Sequence, residues 1–109
     1  MAIRLKENEV LALKDLRYAL FQKFDILDFR LFGSKARGEL VDDSDVDIMI
    51  EIPDYNPSVV SQIDDIIFKV NLAHDVFISA MIFGKDELEN GPMAESPIYK
   101  IIQREGVRL

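Results

Sequence analysis

Between Asp45 and Phe83 the sequence alternates, turns helical and then becomes rich in β-branched and aromatic residues, and few folds accept that order. From Asp45 to Ile52 the period is two: Val46, Ile48, Ile50 and Ile52 fall on one side, Asp45, Asp47, Met49 and Glu51 on the other. Pro53 ends this strand, Asp54-Tyr55-Asn56 turns, and Asn56-Pro57 supplies an N-cap and first position for a helix. Val59, Val60, Ile63, Ile66, Ile67 and Val70 then recur at helical spacing as far as Leu72. Val76 to Phe83 is rich in β-branched and aromatic residues and stops at Gly84. A strand, a long helix and a strand predict a parallel crossover unit, with the two strands side by side and the helix on one face.

The flanks complete a small domain. Val10, Leu13, Leu16, Leu20 and Phe24 predict a helix over Glu9 to Phe24, with Asn8 as its cap. Ile26 to Phe32 reads as a strand, because Asp28 and Arg30 alternate with apolar residues, and Gly33 ends it. Asp86-Glu87-Leu88-Glu89 opens a short helix that Asn90-Gly91-Pro92 stops. Ser96-Pro97 starts a last helix, with Ile98, Ile101 and Ile102 as its apolar face and Gly106 as its C-cap. The expected class is α/β (α+β): a small mixed β-sheet flanked by helices. The 109 residues are expected to form one domain, 1–109.

Charge narrows the partners. The net charge of −7 opposes direct nucleic acid binding, which depends on Lys and Arg neutralising phosphates. It suits a basic protein partner, though the plainer reading of the same charge is solubility. There is no cysteine, hence no disulfide or thiolate metal site. With no apolar run resembling a signal peptide or the ~20 residues of a membrane span, the expected location is the cytoplasm and no membrane partner is expected.

The chemistry is concentrated in Gly33-Ser34-Lys35-Ala36-Arg37-Gly38 and in Ser44-Asp45-Val46-Asp47. Gly33 at a strand end lets a ligand approach the backbone closely. Ser34 offers a hydroxyl and an N–H to phosphate, and a helical turn from Ser34 to Arg37 adds further free N–H groups. Arg37 can clamp two phosphate oxygens, and Lys35 adds charge. A polar loop with two glycines for tight turns accounts for the same residues without a ligand. Asp45 and Asp47, two apart in a strand, project to one face, where their repulsion favours a hard cation such as Mg²⁺. The alternative is an acidic turn, Asp42-Asp43-Ser44-Asp45, that caps the strand and stays solvated. Asp43-x-Asp45-x-Asp47 also resembles the opening of a calcium-binding EF-hand loop. That loop needs Gly right after its third ligand and a closing Glu, where Ile48 and Asp54 stand. Asp75, at the expected start of the third strand, is the candidate third carboxylate, able to bind metal and to assist deprotonation of a nucleophile; a helix-to-strand turn residue accounts for it without a ligand. Asp64 and Asp65 fall on the polar side of their helix, and the single His74 reads as an incidental polar residue.

The spacing Gly33-Ser34-x10-Asp45-x-Asp47, with Ala36-Arg37-Gly38 inside it, resembles the DNA polymerase β-like nucleotidyltransferase superfamily. It is most similar to the minimal nucleotidyltransferase (MNT) branch. The tail from Ser96-Pro97-Ile98-Tyr99 to Arg104-Glu105-Gly106-Val107 is similar to the end of such proteins. The resemblance implies a nucleotidyltransferase fold. It implies Gly33 and Ser34 on nucleotide phosphates, with Arg37 and Lys35 nearby. It also implies Asp45, Asp47 and Asp75 on Mg²⁺, as two ions, with ATP as substrate. Members of this branch commonly act as antitoxins beside a helical HEPN toxin, and some transfer AMP from ATP to a tyrosine of it. Larger relatives that modify antibiotics hold the acceptor in an added domain, so a chain of this size is expected to take its acceptor from a partner. Two other readings stay open: an antitoxin that neutralises its partner by binding alone, and a small-molecule nucleotidyltransferase completed by a second subunit.

Overall fold

The computed structural model describes residues 3–39 and 45–109. The expected acidic turn Asp42-Asp43-Ser44 lies outside them. The first helix, α1 (Glu7–Lys23), is followed by strand β1 (Asp28–Phe32) and a short helix α2 (Gly33–Arg37). Then come β2 (Val46–Ile52), α3 (Pro57–His74) and β3 (Ile78–Gly84). The chain closes with α4 (Lys85–Asn90), a 3-10 turn (Pro92–Glu95), α5 (Pro97–Glu105) and a two-residue strand β4 (Val107–Arg108).

The sheet order is β3-β2-β1-β4. β1 runs antiparallel to β2 and to β4, while β2 and β3 are parallel, so the sheet is mixed and α3 is the crossover between parallel neighbours. Apolar alternation sets the two faces. Phe29, Leu31, Val46, Ile48, Ile50 and Ile78 point to one side, where Leu13, Leu16, Leu20, Ile63 and Ile67 of α1 and α3 close the main core. Phe32, Met49 and Phe83 point to the other, where Ile102 seals a smaller core with Leu88, Met93, Ile98 and Tyr99 around it. Tyr99 meets Phe83 edge to face at 5.4 Å. Fully burying each of these Leu, Ile and Phe side chains contributes about 1.5–3 kcal/mol before the entropy of ordering them is charged.

The helix ends show why the boundaries fall where they do. The Asn56 side chain accepts from Ser58 N–H at 2.8 Å and from Val59 N–H at 3.4 Å, with Pro57 next, as the sequence pattern predicts. The Ser96 hydroxyl likewise accepts from Tyr99 N–H, and Glu87 accepts from Gly84 N–H to hold α4. Asn8 departs from expectation. α1 already begins at Glu7, where Lys6 N–H donates to the Glu9 carboxylate at 2.8 Å. The Asn8 amide instead donates to the backbone carbonyls of His74 and Asp75, capping α3 rather than its own helix. No helix among the described residues is long and apolar enough to cross a membrane.

Candidate active site

The antiparallel pairing of β1 with β2 joins the two halves of the motif. Phe32, the last residue of β1, lies opposite Asp47, so the chain leaves β1 beside the start of β2. Gly33 turns there with φ +79 and packs on the Asp47 side chain: a Cβ on Gly33 would lie 2.6 Å from Asp47 Oδ2. No L side chain fits that position without displacing the carboxylate. The sequence spacing therefore brings the strand-to-helix turn against one acidic group.

Asp45 and Asp47 are two apart at the head of β2. Asp47 shares its face with Phe32 and Met49, on the side covered farther along by α5. Half-buried, its carboxyl titrates above the ordinary range, first because burial disfavours its charge and second because Asp45 repels it. Arg37 opposes both by attraction. That imbalance suits a divalent cation. A hard ion on the two carboxylates relieves their repulsion and leaves positions open for substrate phosphates. Among the described residues, no three His, Cys, Asp or Glu side chains converge as a ligand group, so the described protein donors are this pair alone.

The five residues of α2 sort the remaining candidates by rotation about a helix axis. Ser34 and Arg37, three apart, share one side. Arg37 donates from Nε to Glu39 at 2.8 Å and from Nη1 to Glu105 at 3.0 Å. These carboxylates, Glu39 foremost, hold its guanidinium pKa above the usual Arg value, so it stays a cation within reach of Asp47. Lys35 is turned the other way. It is 4% exposed and bonded to the Glu9 carboxylate at 3.1 Å beneath α1, while the neighbouring Ala36 joins the main core. The expectation that Lys35 reaches phosphate is corrected: one step of 100° around a short helix carries it to the inner side.

Asp75 is also displaced from expectation. β3 begins at Ile78, and Asp75 is instead the exposed C-cap of α3 in the left-handed region, φ 54. Its carbonyl is held by Asn8 of α1, on the side of the sheet covered by α1 and α3, whereas Asp47 faces the opposite side. The structure does not bring Asp75 to the pair. In the parallel register the residue beside Asp47 is Ser79, which is exposed and on the same face. Sequence reasoning missed Ser79, because alternation fixes which β3 residues face outward but leaves the offset between strands open. Asp64 and Asp65 are exposed on α3, and His74 Nε2 meets Asp15 at 2.6 Å, a contact between α3 and α1. Ile48 and Asp54, which ruled against an EF-hand, lie inside β2 and just after it.

A mixed sheet that sets a glycine-led turn on an Asp-x-Asp pair suits chemistry on phosphate-bearing groups. The nucleotidyltransferase domain family matches residues 13–107, most of the chain including all of this site, and the chain belongs to that family. No individual curated protein matches the chain at a significant level.

Proposed function

We propose that this nucleotidyltransferase domain transfers AMP from ATP to a tyrosine of a HEPN-type toxin, acting as the antitoxin of the pair. The single observation that carries the transferase part is the contact of Gly33 with the Asp47 carboxylate. It sets the backbone of the glycine turn directly against Asp47, one carboxylate of the Asp45-x-Asp47 pair. In this reading Gly33 and Ser34 orient the nucleotide phosphates, and Arg37 exchanges its bonds to Glu39 or Glu105 for phosphate oxygens. Asp45 and Asp47 hold Mg²⁺, which when bound neutralises charge on the phosphates undergoing in-line displacement. The tyrosine oxygen attacks the α-phosphorus, its proton passes to a nearby carboxylate or water, and pyrophosphate leaves. The acidic chain, at −7, complements a basic, RNA-cutting partner.

The test is incubation with α-labelled ATP, Mg²⁺ and the product of the neighbouring gene. Label is expected on a partner tyrosine, and the Asp47→Asn variant is expected to transfer at least about 100-fold less. Transfer by Asp47→Asn at the wild-type rate overturns the assignment. Full neutralisation of the partner by Asp45→Asn/Asp47→Asn, without label, would instead establish an antitoxin that works by binding alone.

A further inference from the structure

β3 is an edge strand, and its outer edge is managed in an unusual way. Val46 N–H donates to the Phe77 carbonyl, so the odd-numbered residues of this segment aim their main-chain groups at β2 and the even-numbered ones aim outward. At one end of the outer edge, the Asn71 side chain saturates Ile78: its Oδ1 accepts from Ile78 N–H at 2.9 Å and its amide donates to Ile78 C=O at 3.2 Å. At the other end Glu87 accepts from Gly84 N–H at 3.0 Å. Between these stops lie Ala80 and Ile82, whose N–H and C=O groups point away from the sheet.

Among the described residues no backbone group pairs with that window, which is symmetric about Met81. In an antiparallel ladder, a residue exchanges both its bonds with one partner residue, and alternate pairs are non-bonded and close. Ala80 can therefore exchange both bonds with Ile82 of another β3, and Ile82 with Ala80, leaving Met81 opposite Met81 on a two-fold axis. A self-complementary patch is the requirement of a two-fold dimer. The segment from Val76 to Gly84 has no charged residue, so it is a place where two copies carrying −7 each can meet without facing like charges. It also lacks the Lys, Pro or bulge with which edge strands ordinarily prevent pairing. Exposed apolar side chains flank it on both sides of the sheet: Phe77 (75%) and Met81 on one, Phe68 and Leu72 of α3 on the other. Asn71, which lies between those two α3 residues, fixes that helix to the strand edge.

We propose that two copies of this chain pair through β3, extending the sheet across a two-fold axis at Met81. The axis stands perpendicular to the sheet, so both Asp45-Asp47 pairs open on the same face of the dimer. α3 lies beside its mate, where Phe68 and Leu72 become covered.

The chain has no cysteine, so a Met81→Cys variant carries a single thiol. A non-bonded antiparallel pair has the Cα separation a disulfide needs. With oxidised glutathione, Met81→Cys is expected to form a covalent dimer faster than the control Leu27→Cys, whose site is also exposed. By light scattering the wild type is expected at twice 12.5 kDa, and Met81→Lys, with unchanged circular dichroism, at 12.5 kDa. A monomeric wild type with no preferential cross-linking overturns the proposal and leaves the edge to a strand or helix of another protein. A dimer that survives Met81→Lys overturns it too, by placing the interface elsewhere. Neither readout depends on nucleotidyl transfer.

Discussion

Substituting Gly33 with alanine isolates the feature on which the site depends. At φ +79 an L residue carries about 1–2 kcal/mol of left-handed strain. The new Cβ would also sit 2.6 Å from Asp47 Oδ2 and 3.4 Å from Asp47 Cβ and Cγ. The carboxylate must rotate away, and turning a side chain ~30° off its rotamer costs about 0.5–1.5 kcal/mol. Gly33→Ala should therefore lose roughly 2–3 kcal/mol in all. For a domain of this size that lowers Tm by on the order of 10 °C. In an Asp47→Ala background the clashing oxygen is gone, so only the strain remains and the loss should fall by about 1 kcal/mol. Urea melts of the four proteins read this cycle directly. Calorimetric titration with Mg²⁺ and a non-hydrolysable ATP analogue reads the consequence, a loss of affinity of about tenfold or more as the carboxylate moves. Equal losses in both backgrounds, or a Gly33→Ala protein as stable as wild type, would refute the contact and the reasoning built on it.

Three further expectations test the residue assignments. Lys35→Met leaves Glu9 buried without its partner and should destabilise by about 3–5 kcal/mol, whereas Glu9→Leu/Lys35→Met should restore most of that; if the folded double variant then fails to bind ATP in calorimetry, Lys35 contacts phosphate after all. Asp75→Gly relieves a left-handed residue and should leave stability equal or higher and Mg²⁺ affinity unchanged, so a large loss of Mg²⁺ binding would return Asp75 to the site. Glu51 titrates above the ordinary Glu range, first through burial and second through repulsion by Asp28, with Lys85 and Arg30 opposing. A raised folded pKa means the folded state favours the protonated form, so its stabilising effect is present below the ordinary value and is lost as pH rises through the folded one. Glu51→Gln should accordingly be more stable than wild type at neutral pH and equal to it in acid; a less stable variant at neutral pH, in urea melts across that range, contradicts the assignment.

The strongest local signals in the sequence translated into structure because local chemistry decides them. Asn56-Pro57 and Ser96-Pro97 make their caps from side chains on adjacent residues, and the alternation of Val46 to Ile52 needs only a buried face on one side. Gly33 and Asp47 meet because β1 ends opposite the start of β2, an antiparallel register that the alternation of the two strands does not by itself specify. The misreadings involve geometry that crosses elements. Asp75 depended on the offset between β2 and β3, which the crossover helix sets and which turned out to pair Asp47 with Ser79. Lys35 depended on the rotation of a five-residue helix, and a cation beside a phosphate turn looks the same in sequence whether it faces ligand or Glu9. Asn8 had the right type for a cap, and its contact lies 66 residues away at His74. β4, two residues long, is held by pairing to β1 rather than by any pattern of its own.

The most direct measurement of the central claim is an amide-resonance titration of the isotope-labelled chain with a non-hydrolysable ATP analogue, with and without Mg²⁺. Shifts centred on Gly33, Ser34, Asp45 and Asp47, dependent on Mg²⁺ and abolished in Asp45→Asn/Asp47→Asn, are the predicted result. Shifts centred elsewhere, or equally large without Mg²⁺ and in the double variant, would contradict a nucleotidyl-transfer site at the junction of β1, α2 and β2.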